Sequence, residues 1–576
     1  MSLINSGDPS TTDIGGAMIR NPVLRGFNPD PSILRVEDVY YIAVSSFEWL
    51  PGVRVYESRN LVDWQHCTDI LRHQVQLQGN PKNCSIWAPQ LSYADGQFYL
   101  LYTDVKSTKR PFKDDHNYLI TATDIRGPWS EPVYLNSSGF DPSLFHDEDG
   151  RKWVLNALWD YRITEGNKSS GIVMQEYDHR TRQLIGEPIK LFDCTPLKKT
   201  EAPHIYKRDG YYYLITAEGG TGTGHAVTVA RSRHLTGSYE VDPHNPMMTS
   251  SGNAEWPLQC AGHGSLVETP AGEWYMAHLC TRPLDGQYAI LGRETAIQQV
   301  YWDEQGWLRL SSGGKLPQLA VPAPSGLAAD LDVPHRLNTT DSEVVSKMES
   351  MIQAEPMSYR AVANNTPTMN LASSCECTFV DEFDQETLHP QWNTLRILAE
   401  EDWCSLRQRP GHLRLYGGES IQSLFRHHIV ALRQRDHSFR AETALDYEPQ
   451  QYLQMAGLVL YLNEDNYVYA CITRDCAGKV IRLMRCAADQ FYVYPEVIVV
   501  PEQTTVHLAV EVEQTTARFY YRVSEQEQWT ALYNEEHISF LSGGFTGNFV
   551  GIAAHDMYQF KGSYADFSHF RYEGRE

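Results

Sequence analysis

The sequence predicts an all-β protein, a five-bladed β-propeller followed by a β-sandwich, and three observations predict it. One motif returns five times in the first half of the chain. It is led by Asp30, Ala88, Asp141, Ala202 and His263, at intervals of 58, 53, 61 and 61 residues. Each copy opens a strand–turn–strand pattern, as in Asp141-Pro142-Ser143-Leu144, then Asp149-Gly150, then Trp153-Val154-Leu155. From Cys375 onward, short strand patterns continue but the period is gone. A fixed period of this size with strand signals inside each unit marks radial β repeats.

The elements follow in order. Residues 1–20 are polar and rich in Gly, Ser and Thr, and are expected as a disordered or tag-like tail. Residues 21–315 carry the five repeats. Residues 316–374 bring Pro317, Pro322, Pro324 and Pro334 close together, then a polar run with few aromatics, which reads as a linker or a draped arm. A short helix is expected at Ser346–Ala354. Residues 375–576 read as the sandwich. There, Leu413-Arg414-Leu415-Tyr416 alternates, Gly457–Leu462 is apolar throughout, as a strand buried on both faces would be, and Thr505–Val512 with Ala517–Val523 forms a hairpin pattern.

Composition narrows the function classes. The formal charge is −23, which argues against nucleic acid and anionic membrane surfaces as partners. No run of about 20 apolar residues exists, so no membrane-spanning helix is expected. The 33 Tyr and 13 Trp suit strands, and also suit sugar sites that use flat apolar platforms. The 11 cysteines are scattered, and the one close pair, Cys375 and Cys377, reads as structural. Reduced thiols and the absence of a signal-like start fit a cytoplasmic location.

In a propeller, equivalent positions of every blade lie near the axis on one face. Asp30, Asp141 and Glu201, which is one residue ahead of Ala202, are therefore expected to converge from three blades. A lone Asp-Pro is usually a turn opener, but carboxylates meeting near an axis are rare unless paired or working. Glycoside hydrolysis needs such a set: one acid protonated to release the leaving oxygen, another ionised to act on water or carbon. A third carboxylate would raise the acid's pKa by like-charge repulsion. His263 could hold a water or a metal, or be a buried neutral imidazole with no further duty.

Several segments make the resemblance specific: Asn28-Pro-Asp-Pro-Ser32, Phe47-Glu-Trp49, Ile86-Trp-Ala-Pro89, Thr200-Glu-Ala-Pro-His204, Gly262-His-Gly-Ser265 and Leu291-Gly-Arg-Glu-Thr295, with Gly544-Phe-Thr-Gly-Asn548 in the second half. Together they resemble glycoside hydrolase family 43, most of all its two-domain β-xylosidases. The resemblance covers the chain outside the tail and the linker. It implies a five-bladed propeller with a concanavalin-like jelly-roll sandwich, an inverting mechanism, and roles residue by residue. Asp30 matches the general base, Glu201 the general acid, and Asp141 the residue that tunes and positions that acid. Phe47, Trp87, Trp159, His263 and Arg293 match the sugar subsite. The loop from Arg282 to Gly292 is shorter than the resemblance leads one to expect.

A shallow propeller face does not enclose a single terminal sugar, so the sandwich is expected to lend a wall. Gly543–Gly547 is the candidate loop, with Phe545 as an apolar lid, the alternative being a Phe packed in the sandwich core. The expected activity is exo-acting release of terminal xylose from short xylan-derived oligosaccharides, with arabinofuranose as a second sugar. A pure α-L-arabinofuranosidase, a non-catalytic sugar-binding propeller and a protein scaffold are the competing readings. No cofactor is required by this chemistry, although a divalent cation such as Ca2+ near the propeller axis would fit His263. A homo-oligomer is expected.

Overall fold

The computed structural model describes residues 17–325 and 378–575, and among these every regular element is a β-strand. Five antiparallel meanders follow one another, spanning residues 32–71, 85–136, 139–192, 201–249 and 259–310. They are the five blades. Four have four strands, and the fourth blade adds Met248–Thr249 beside Ala226–Ser232. The innermost strands are Ser32–Val36, Ser85–Ala94, Gly139–His146, Glu201–Arg208 and Gln259–Glu268.

The repeated motif has a backbone reason. Asp30, Ala88, Asp141, Ala202 and His263 all sit in the left-handed region, with φ of 55°, 37°, 56°, 50° and 55°. In blades two to five the pairing of the inner strand slips around this position. A bulge of this kind bends the strand and re-aims a side chain. A left-handed non-glycine residue costs about 1–2 kcal/mol. Five such residues at one repeat position turn the inner rim toward the axis.

The ring closes through the segment before the first blade. Met18–Arg20 pairs with Ala320–Pro322, Leu24 bridges Thr295, and Asn21 exchanges hydrogen bonds of 2.7 and 2.8 Å with the Ile297 backbone. The expected limits of the tail at 20 and of the linker from 316 therefore each shift by a strand. Ile19 and Val321 are buried, and pairing these two strands seals the joint between the first and last blades. The helix expected at Ser346–Ala354 and the Cys375–Cys377 pair lie outside the described residues.

Two nine-stranded sheets form the sandwich. Its core alternates along each strand: Leu413 and Leu415, or Ala456, Leu458, Leu460 and Leu462, point between the sheets. The hairpin expected from Thr505 to Val523 is Val506–Glu513 paired with Thr516–Arg522. The unbroken apolar run at Gly457–Leu462 has a second cause. Val459 and Tyr461 face the other way and join a cluster with Phe47 and Trp49 of the first blade. Propeller and sandwich are not independent bodies. Trp49–Leu50 extends a sandwich sheet by pairing with Asn393–Leu395, and Trp49 stacks on Phe549 with ring centroids 3.7 Å apart.

Candidate active site

Asp30 is where the blades meet the chemistry. It is buried, and its carboxylate is gripped on every side. Arg293 of the fifth blade forks onto it, Nη1 at 2.6 Å from Oδ1 and Nη2 at 3.2 Å from Oδ2. Ser45 donates to Oδ2 at 2.6 Å and itself accepts the Ala88 N–H at 2.7 Å. One hydroxyl thus ties the second blade's rim to the first blade's carboxylate. Burial alone would raise this pKa, but Arg293, the nearby His263 and the Ser45 hydrogen bond outweigh it and hold Asp30 below the ordinary range. Asp30 is the ionised member of the set.

Asp141 and Glu201 behave in the opposite way. Asp141 is buried, and its backbone N–H donates to Thr103. Burial and the charges of Glu201 and Asp30 hold its proton well above the usual carboxylate range. Glu201, partly buried at the start of the fourth blade's inner strand, is pushed up to about 7 by burial, with Lys113 opposing and Asp30 adding to the rise. Like-charge pressure was expected on the acid alone. It acts on Asp141 from Glu201 and Asp30, and on Glu201 from Asp30. Near neutral pH the site therefore holds one ionised carboxylate and proton donors beside it.

A cavity of about 410 Å³ contains all three carboxyl groups. Phe47, Trp87, Trp159, His263, Arg293 and Phe545, the other residues named from sequence, line the same cavity. Phe545 lies on its wall, 5.4 Å from Trp87 edge-on and 6.0 Å from Phe47 between ring centroids. It is not part of the sandwich core. Its loop is pinned through backbone atoms: Phe545 N–H donates to Asn83 at 2.8 Å, and its carbonyl accepts from Arg293 Nε at 3.1 Å. Gly547 and Gly292 make the approach possible, since a Cβ on Gly292 would stand 2.5 Å from the Gly547 Cα.

His263 lies with Nδ1 3.6 Å from Asp30 Oδ1. Burial lowers its pKa, Asp30 opposing and Arg293 reinforcing, so it is a neutral imidazole packed against Asp30. Among the described residues no cluster of three or more His, Cys, Asp and Glu side chains could hold a metal. One imidazole beside a carboxylate already forked by Arg293 is a poor cage for a hard cation, which takes 6–8 oxygen ligands.

Sequence reasoning missed Ser45, Asn83 and Lys113. Lys113 presents its ammonium to three rings, 3.6 Å from the Phe140 centroid, 4.6 Å from Trp87 and 4.7 Å from Trp159. None of the three occupies the repeated position, so the period carried no signal for them.

The comparisons with known proteins agree with this geometry. Residues 19–308 match the model of glycosyl hydrolases family 43, and residues 380–573 match the β-xylosidase C-terminal concanavalin A-like domain. A β-xylosidase of Bacillus subtilis (strain 168) is 41% identical over 580 residues, covering 96% of this chain and 99% of the relative. Xylosidase/arabinosidase 43B of Humicola insolens is 40% identical over 556 residues, covering 94% and 95%. The crystal structure of xylan β-1,4-xylosidase from Bacillus halodurans C-125 superposes with a TM-score of 0.86 at 44% identity, covering 96% of this chain and 100% of that one. A strained five-fold rim that delivers three carboxyl groups to one lidded cavity, and matches of this length in both halves, lead to one assignment: the chain belongs to glycosyl hydrolase family 43.

Proposed function

We propose that this glycoside hydrolase is an exo-acting, inverting β-xylosidase that releases terminal xylose from short xylan-derived oligosaccharides and accepts terminal α-L-arabinofuranose in the same cavity. The observation that carries the reading is three carboxyl groups in one cavity, with Arg293 forked onto Asp30 and holding it ionised while burial lets Glu201 keep its proton up to about pH 7. That is the pair an acid–base hydrolysis at a glycosidic carbon requires.

In the proposed reaction, Asp30 takes a proton from a water as that water attacks the anomeric carbon. Glu201 gives its proton to the glycosidic oxygen as the carbon–oxygen bond breaks. Arg293 keeps Asp30 ionised and fixes its plane, because a forked guanidinium holds a carboxylate in one orientation. Asp141 keeps its own proton, positions Glu201 and adds no charge to the acid. The aromatic walls and the Phe545 lid enclose one sugar unit, which supports cleavage at chain ends. No cofactor enters the mechanism.

The names of the relatives, β-xylosidases and xylosidase/arabinosidases, support both sugars. Comparing kcat/KM on an aryl β-xyloside and an aryl α-L-arabinofuranoside tests the proposal. Activity on the arabinofuranoside alone would make this an arabinofuranosidase, and activity on neither would leave a sugar-binding propeller. We also propose cytoplasmic action as a homo-oligomer. The nine cysteines among the described residues are all free thiols, which supports a reducing compartment, and light scattering tests the assembly.

A further inference from the structure

Asp115 is a buried acid that the mechanism above does not use. It sits on the third strand of the second blade, paired with Val105, and is 1% exposed. Neither of its carboxyl oxygens has a hydrogen-bond partner among the described residues. A buried carboxyl without hydrogen bonds is costly unless a charge compensates it. The cation that acts on it is Lys113, two residues earlier, in the connection that leads into the strand at Asp114.

Lys113 joins Asp115 to the active cavity. Its ammonium leans into the active cavity and is held by the faces of Phe140, Trp87 and Trp159. An ammonium over aromatic faces is attracted by the ring quadrupoles, most strongly when desolvated. The ionisable groups that act on it come from every element around it: Asp115 from the strand that follows it, Asp141 from the third blade, Glu201 from the fourth, and Cys84 from the chain entering the second. Asp30, Arg293, Lys199 and Arg110 complete the charges lining the cavity. Lys113 thus stands between a carboxyl behind the wall and two carboxyls in front of it.

We propose that Asp115 is a positioning residue for hydrolysis: it keeps Lys113 charged and seated in its three-ring cage, and through that ammonium it makes Glu201 a stronger proton donor. This rests on Glu201 being the acid. A positive charge in front of Glu201 favours its ionised form, and burial opposes the charge on Lys113 while Asp115 is the first of the groups that support it. Removing either partner leaves Glu201 holding its proton to higher pH. Asp30 is held ionised by the Arg293 fork and the Ser45 hydroxyl, which these variants leave in place, so the acidic side of the pH profile should stay where it is.

The test uses Lys113→Met, which keeps the length of the side chain, Lys113→Arg, which keeps the charge, and Asp115→Asn, which keeps the shape. Lys113→Met should move the alkaline limb of kcat/KM upward by on the order of one pH unit. Asp115→Asn should move it the same way by less, and Lys113→Arg should restore it. In the Lys113→Met background, Asp115→Asn should add no further shift. That double variant also decides the case if Asp115→Asn alone folds poorly, since melting curves report folding separately. Carboxyl-13C NMR of Glu-labelled protein, with the Glu201 signal assigned by its loss in Glu201→Gln, should show the same upward movement without reference to turnover. Failure to hydrolyse any glycoside would sink the glycosidase reading, while the NMR titration would still judge this one. An alkaline limb and a Glu201 titration that stay fixed in Lys113→Met overturn the proposal. So does a shift in Lys113→Met that Asp115→Asn does not share.

Discussion

Replacing Phe545 by alanine isolates the contribution of the sandwich to the site. The ring is partly buried against Phe47 and Trp87, and one side lines the cavity. The loop that carries it should keep its place, because Asn83 and Arg293 bind the backbone of residue 545 and not its side chain. The variant therefore removes a wall and little else. A Phe can bury 150–250 Å², and a sugar on one face should cover about a quarter of that, about 50 Å². At about 25 cal/mol per Å² this is about 1.3 kcal/mol, or about tenfold in kcat/KM. The loss should be read on xylobiose and on an aryl xyloside, alongside a melting curve that matches the parent. Unchanged kcat/KM on both substrates, with the fold intact, would refute the lid.

Three further outcomes are expected. The profile of kcat/KM should be bell-shaped: Glu201 must keep its proton, so activity falls as pH rises through about 7, and Asp30 must be ionised, so activity falls on the acid side only below the ordinary carboxylate range. Glu201→Ala should cost about 10²–10⁴-fold on substrates with poor leaving groups and far less on activated aryl glycosides, whereas Asp30→Ala should damage all substrates alike, because water activation is always needed. Arg293→Lys keeps a charge but loses both the fork on Asp30 and the Nε bond to the Phe545 carbonyl, and should lower kcat/KM by about 10²-fold with a rise in KM as the lid loosens.

Much of this architecture was legible because the propeller repeats itself. The residue that must turn left-handed at each inner rim recurs in sequence, so Asp30, Asp141 and Glu201 could be placed near one axis from spacing alone. Phe47, Trp87, Trp159 and Arg293 came from resemblance, because nothing in their own neighbourhoods states where they point, whereas His263 shares the repeated position and Phe545 is marked by the glycines around it. The union of propeller and sandwich through Trp49–Leu50 was not legible. A two-residue strand has no periodicity, and its partner Asn393–Leu395 lies more than 300 residues away in the chain. Lys113 was hidden for a similar reason. It lies in a connection between strands, and its role depends on rings from two blades that meet only in the folded state. Met18–Arg20 read as tail because three residues carry no pattern until Ala320–Pro322 is beside them.

The central claim is that Asp30 and Glu201 act from opposite sides of the anomeric carbon, one on water and one on the leaving oxygen. The configuration of the first sugar released tests it most directly. Following hydrolysis of an aryl β-xyloside by 1H NMR, before mutarotation mixes the anomers, the account predicts α-xylose as the first product. If β-xylose appears first, the reaction runs through a covalent intermediate, and the roles assigned here to Asp30 and Glu201 are wrong.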